Sequence, residues 1–130
     1  MNPKKFITIT ILLVSILTGC STGSDSANLS ATEFLVKSQE PGVITLDVRT
    51  PEEFRSGFIA KSLNINVESG SFDSEIANLD KSATYAVYCR SGRRSQVAID
   101  KMRAAGFTSL FNLSSGINDW NANGLPLVVK

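Results

Sequence analysis

The run Thr84–Tyr88 (TYAVY) is the most β-prone stretch of the chain, and it stops on a cysteine. Cys89-Arg90-Ser91-Gly92-Arg93-Arg94-Ser95 follows as a tight polar turn, and residues 96–105 then carry apolar side chains at helical spacing. Val97, Met102 and Ala105, with Ala98 and Ile99 alongside, form the apolar stripe, and Gly106 ends the helix. A buried strand, a sharp turn and a helix in direct succession constrain the fold more than any other feature. They put the turn outside the carboxyl edge of a sheet, where open α/β folds place ligands.

The same alternation runs along the rest of the chain. Ser30-Ala31-Thr32-Glu33 has the form of a capping box, and Ala31, Phe34 and Leu35 share a helical face, so a short helix starts there. Pro41-Gly42 breaks it, and Val43–Asp47 (VITLD) reads as a buried strand. Thr50-Pro51-Glu52-Glu53 is a second capping box, with proline at the first helical position. A brief strand at 63–66, a short helix at 71–79 and a strand at Ser109–Leu113 come next. A Ser115-Gly116 turn, a short helix around Trp120 closed by Asn123-Gly124, and an extended run at 125–129 complete the pattern. Strands alternating with helices predict an α/β fold, a mostly parallel central sheet flanked by helices on both faces.

The amino terminus belongs to a different regime. Residues 1–5 are a short basic head, and residues 6–17 (FITITILLVSIL) are apolar. Such a run is too short to span a bilayer, which takes roughly 20 apolar residues, but has the length of a signal-peptide core. Leu17-Thr18-Gly19-Cys20 resembles the bacterial lipobox, which implies cleavage before Cys20 and acylation of its thiol. Residues 1–19 are therefore expected to be a lipoprotein signal peptide. Residues 20–29, small and polar from 21 to 28, are expected to be a flexible tether carrying a lipidated Cys20. Residues 30–130 would form the folded domain. The expected location is outside the cytoplasm, anchored to the outer face of the cell membrane or to the outer membrane facing the periplasm.

Composition narrows the chemistry. The 130-residue chain contains no histidine, which excludes Ser–His and Cys–His couples and any His-ligated metal site. No metal and no cofactor is expected. Without Lys4 and Lys5 the remainder carries 11 basic and 12 acidic residues, a balance that argues against nucleic acid as a partner. Of the two cysteines, Cys20 is assigned to the membrane, which leaves Cys89 with no partner for an intramolecular disulfide. A lone thiol in an exported protein risks oxidation, so its presence suggests use.

A loop after Cys89 can curl so that successive backbone N–H groups point at the sulfur, and Gly92 supplies the conformation such a curl needs. The positive end of the next helix and the charges of Arg90, Arg93 and Arg94 add to the field. All of these favour the thiolate, which is the nucleophile. The residues thus define a class: a cysteine nucleophile for an anionic substrate, activated without histidine. Arg94 is the leading candidate for a substrate ligand, while Arg90 and Arg93 either assist it or face solvent. Ser95 is a candidate helix cap.

Residues 88–95 (YCRSGRRS) look like the active-site loop of rhodanese-like sulfurtransferases. Residues 46–59 (LDVRTPEEFRSGFI) resemble the family's upstream signature, and residues 115–127 (SGINDWNANGLPL) its carboxyl-terminal one. The resemblance runs from about residue 30 to residue 129 in the correct order. It implies sulfur transfer through a persulfide on Cys89. The donor would be a small anion such as thiosulfate, or a persulfide, and the acceptor a thiol or a cyanide-like nucleophile. Arg90, Ser91, Gly92, Arg93, Arg94 and Ser95 would surround the substrate. Asp47 and Arg49 correspond to paired residues that support the loop, with Arg49 expected in an ion pair with Asp47 or Glu53. Trp120 is expected to serve packing. Two positions depart from the family pattern: Phe58 stands where histidine is usual, and Lys61-Ser62 replaces a Gly-Ala pair. A non-turnover sulfur carrier or polysulfide-binding lipoprotein would use the same cysteine, and a phosphatase-like or arsenate-reductase-like enzyme shares the loop type. Four residues separate Cys89 from Arg94, one fewer than in that last group, which makes a smaller cradle.

Overall fold

The computed structural model describes residues 26–130. Residues 1–19, expected to be a signal peptide, and Cys20 lie outside them. Five strands, β1 (Ser26–Leu29), β2 (Val43–Asp47), β3 (Leu63–Asn64), β4 (Thr84–Tyr88) and β5 (Ser109–Leu113), form one sheet in the order β1-β5-β4-β2-β3. Every strand pairing within it is parallel. The helices are α1 (Ala31–Ser38), α2 (Pro51–Ser56), α3 (Phe72–Ile76), α4 (Arg93–Ala104) and α5 (Gly116–Ala122). This is the α/β architecture that the alternating pattern predicts.

Period-two alternation along β4 separates the two faces. Tyr85 and Val87 join Cys89 in a core with Phe72 and Ile76 of α3 and Ala98, Ile99 and Met102 of α4. Ala86 and Tyr88 point the other way, into a core with Ala31 and Phe34 of α1 and Ile117 and Trp120 of α5. In that second layer Phe34 meets Tyr88 and Trp120 edge-on, with ring centroids 6.1 and 6.4 Å away, an arrangement favoured by the ring quadrupoles. Trp120 is buried and its indole N–H donates to the Pro126 carbonyl at 3.0 Å, so it serves packing as expected.

Both capping boxes form. The Ser30 and Thr50 side chains accept from the N–H groups of Glu33 and Glu53, whose carboxylates reach back to the cap N–H groups. The two boxes end the loops that enter α1 and α2, and the second starts α2 shortly after the carboxyl end of β2.

Four expectations change. The tether does not reach residue 29: Ser26–Leu29 is an edge strand paired in register with β5, and the Ser114 N–H donates to the Leu29 carbonyl at 3.0 Å. Backbone groups along the open side of β5 accept any extended neighbour, so a weakly apolar segment still pairs. Helix α4 begins at Arg93 and not at 96, because Gly92 at φ 96° serves as its cap residue. Val97 lies off the buried stripe, 47% exposed, while Ala98, Ile99 and Met102 are fully buried. The run at 125–129 makes only a single antiparallel bridge, Val128 with Phe58.

Candidate active site

Cys89 follows the last residue of β4, and its side chain is fully buried. The chain from Cys89 to Gly92 turns back over the sulfur. Two carbonyls of this turn are engaged by α5. The Cys89 carbonyl accepts the Ile117 N–H at 2.9 Å, and the Arg90 carbonyl accepts the Asn118 N–H at 3.1 Å. Both donors are first-turn groups of α5 that lack intrahelical partners. With the carbonyls turned to α5, the N–H groups are left on the inside. The Gly92 N–H donates to Cys89 Sγ at 3.1 Å, and the Ser95 hydroxyl lies 3.4 Å from the same sulfur.

Two glycines permit this approach. A Cβ on Gly92 would sit 1.9 Å from the Ser114 carbonyl oxygen, and one on Gly116 would sit 2.3 Å from the Arg90 carbonyl group. Both residues also have positive φ, 96° and 64°, where side chains are strained. The loop is thus clamped between the end of β5 and the start of α5.

Burial would push the Cys89 thiol up. The Ser95 hydroxyl and the backbone N–H groups of Ser95, Ser91 and Gly92 more than offset it and hold the thiol below its ordinary value. The Gly92 N–H, 3.1 Å from the sulfur, makes the kind of contact that an anion nest provides.

Arg94 is placed differently from its expected role. Its guanidinium forms a bidentate pair with Glu53, at 2.7 and 2.8 Å, and lies 3.6 Å from Glu68. The same Glu53 caps α2, so one carboxylate ties α2 to the first turn of α4. Side-chain contact with Arg94 draws the Glu53 carboxyl down to about 2 against burial, with help from Thr50. Arg90 and Arg93 are exposed and form no ion pair among the described residues. Arg93 and Arg94 border a cavity of about 390 Å³ with Val67, Glu68 and Val97. Ser95 is not a cap. It lies inside the first turn of α4, fully buried, with its hydroxyl 3.0 Å from the Gly92 carbonyl and 2.7 Å from Asn112 Oδ1.

Asp47 and Arg49 form the expected buried pair. Arg49 Nη2 reaches Asp47 Oδ2 at 2.6 Å and the Gly57 carbonyl at 2.7 Å, and its Nε reaches both carboxylate oxygens. The guanidinium carbon lies 5.6 Å from the Tyr88 ring centre, one residue before the cysteine. The pair thus lies beside the strand end that carries Cys89, and its hydrogen bonds go to groups other than the sulfur.

At the first departure position, Phe58 is buried and stacks on Phe54 with centroids 4.2 Å apart. It fills an apolar site, so no imidazole is needed for packing there. At the second, Lys61 takes φ 65°, the left-handed conformation that a glycine would adopt without strain. Ser62 forms a hydrogen bond with the Tyr88 hydroxyl at 3.2 Å.

A family model described as the rhodanese-like domain matches residues 30–123. A sulfurtransferase from Allochromatium vinosum is 33% identical over 86 residues, covering 66% of this chain and 78% of that protein. Thiosulfate sulfurtransferase 16 of Arabidopsis thaliana is 34% identical over 91 residues, covering 62% of this chain and 76% of that protein. Among solved structures, a rhodanese-related protein from Thermoplasma volcanium superposes with a TM-score of 0.65 at 29% identity, covering 80% of this chain and 99% of the other. The chain belongs to the rhodanese-like domain family.

Sequence reasoning did not find Asn112 or the Glu53–Arg94 pair. Asn112 is a polar residue between apolar Phe111 and Leu113 of a strand, and its polarity there is the one signal that could have marked it. Glu53 was legible as a cap, and nothing local told which cation would meet it.

Proposed function

We propose that the chain is a sulfurtransferase that moves sulfane sulfur through a persulfide on Cys89. One observation carries this reading: a fully buried sulfur at the floor of a backbone N–H cradle, with its thiol held below the ordinary value. The Cys89 thiolate attacks the outer sulfur of thiosulfate. A new S–S bond forms, the old one breaks, and sulfite leaves with its electron pair. The N–H groups of Ser91, Gly92 and Ser95 then face the terminal persulfide sulfur. A thiolate or cyanide attacks that sulfur, takes it, and returns Cys89 as thiolate, so no oxidant or reductant is consumed. Exposed Arg90 and Arg93 draw in the anionic donor, since the charge of Arg94 is already balanced by Glu53.

A cradle this small favours a single sulfur over a tetrahedral phosphoryl group. Ser95 stands where a longer loop would present an arginine, and a hydroxyl lacks the fork that binds two phosphate oxygens. Incubation with thiosulfate should add about 32 Da to the protein, the mass of one sulfur atom bound as persulfide. Cys89→Ser should lose all loading, and hydrolysis of aryl phosphates should be absent. Loading that survives Cys89→Ser, or phosphatase activity dependent on Cys89, would overturn the reading.

We further propose that the domain works outside the cytoplasm, held to a membrane by an acylated Cys20. Because β1 already begins at Ser26, five residues would link it to the lipid, a reach of at most about 18 Å. Cys20→Ala should leave the membrane fraction or accumulate as precursor. Wild-type processing and fractionation of that variant would exclude the anchor.

A further inference from the structure

A polar chain runs from the Ser95 hydroxyl beside the sulfur, through buried Asn112, to exposed Asn28. Asn112, the penultimate residue of β5, is 3% exposed, and its Oδ1 accepts the Ser95 hydroxyl at 2.7 Å. Its Nδ2 donates to Asn28 Oδ1 at 3.0 Å. Asn28 and Asn112 are register partners across β1 and β5, so the sheet itself sets their side chains next to each other.

The Ser95 hydroxyl has one hydrogen and three neighbours that could accept it. They are Asn112 Oδ1 at 2.7 Å, the Gly92 carbonyl at 3.0 Å and Cys89 Sγ at 3.4 Å. The closest is Asn112. A hydrogen held there leaves the sulfur facing an oxygen lone pair, which suits a thiol donating its S–H. A thiolate needs the hydrogen instead, and must take it from Asn112. With Asn28 Oδ1 accepting from Nδ2, the Asn112 amide presents its Oδ1 to Ser95.

We propose that Asn112 is a positioning residue for Cys89: its Oδ1 competes with the sulfur for the Ser95 hydrogen, so that the hydroxyl stabilises the thiolate less than it otherwise would, and Asn28 on the edge strand holds the amide in that sense. The inference rests on Cys89 being the nucleophile. Two influences then oppose each other: backbone N–H groups favour the thiolate, while Asn112 Oδ1, an acceptor, competes with the sulfur for the Ser95 hydrogen. The charged groups around Cys89 lie elsewhere. They are Arg94 with Glu53 and Glu68, the Asp47–Arg49 pair, exposed Arg90 and Arg93, and Asp119 on α5, which accepts the Ala31 N–H. The Tyr88 hydroxyl is the neighbouring titratable group on β4, while β1 and β5 carry no charged side chain. Changing Asn112 therefore alters a dipole and a hydrogen, with every formal charge in place.

The test is the pH dependence of iodoacetamide alkylation, in the full chain carrying Cys20→Ala so that Cys89 is the sole thiol. Asn112→Leu should move the inflection to lower pH and raise the rate below it about threefold, the worth of one modest hydrogen bond. Ser95→Ala should move the inflection to higher pH. In the Ser95→Ala background, Asn112→Leu should change nothing, since the effect passes through the hydroxyl. Asn28→Ala, at an exposed position, should act in the same direction as Asn112→Leu but less, and it serves if Asn112→Leu does not fold. The same shift from Asn112→Leu in both backgrounds, or no downward shift in Asn112→Leu or Asn28→Ala, would overturn the proposal. Alkylation reads the thiolate whether or not sulfur is transferred, so a failure of sulfur loading would be separately visible.

Discussion

Arg49 and Arg94 are both held by carboxylates close to the Cys89 loop, one pair inside the protein and the other at its surface. Arg49 and Asp47 have side chains 5% and 0% exposed, whereas Arg94 and Glu53 are 23% and 28% exposed. The buried pair is satisfied on several sides, since the guanidinium also serves the Gly57 carbonyl and Asn64 Nδ2 donates to the carbonyls of both Asp47 and Arg49. In the outer pair Arg94 has a second carboxylate, Glu68, at 3.6 Å, and Arg94 borders a cavity. Geometry is similar, and environment differs. A buried pair holds strand ends in place because neither partner can return to water, while an outer pair can open and reform at small cost.

Removing one partner should separate the two most clearly. Arg49→Ala leaves the Asp47 carboxylate buried without its cation and should destabilise the domain by about 3–5 kcal/mol, read as a lower urea midpoint. Arg49→Lys should rescue only part, because an ammonium cannot make the forked contact. If Arg49→Ala cost no more than a surface substitution, the contrast drawn above would collapse.

Arg94→Ala should cost about 1 kcal/mol or less in stability, and its deficit should shrink at high salt while that of Arg49→Ala does not. In sulfur loading it should slow thiosulfate and a neutral persulfide donor alike, as Glu53 already balances its charge. Arg90→Ala and Arg93→Ala should slow thiosulfate selectively. Selective loss with Arg94→Ala would restore the anion-ligand role expected from the sequence.

The smallest effect concerns acid. Glu53, drawn by Arg94 from 4.5 to about 2, has a lowered pKa, so its contribution to stability is complete above its unfolded value and fades as pH falls. Between about pH 4.5 and 2 the wild type should lose this contribution, and Glu53→Gln should flatten that part of the profile. An unchanged acid slope in Glu53→Gln would mean that the pair adds nothing.

What the sequence determined is local. TYAVY had to be a buried strand, and the two capping boxes had to begin helices, because each signal acts within four residues of itself. The cysteine, the glycine three residues on and the polar turn between them defined a sulfur cradle for the same reason. Only the tertiary structure decided which distant groups meet around it. Arg94 turned to Glu53, 41 positions away, when the loop alone made it look like an anion ligand. Asn112 reached Asn28 across 84 positions, and only because residues 26–29 joined the sheet. Hydrogen bonds and ion pairs across a sheet depend on strand order and register, and these follow from how all the layers pack together. No stretch of the sequence carries that information by itself.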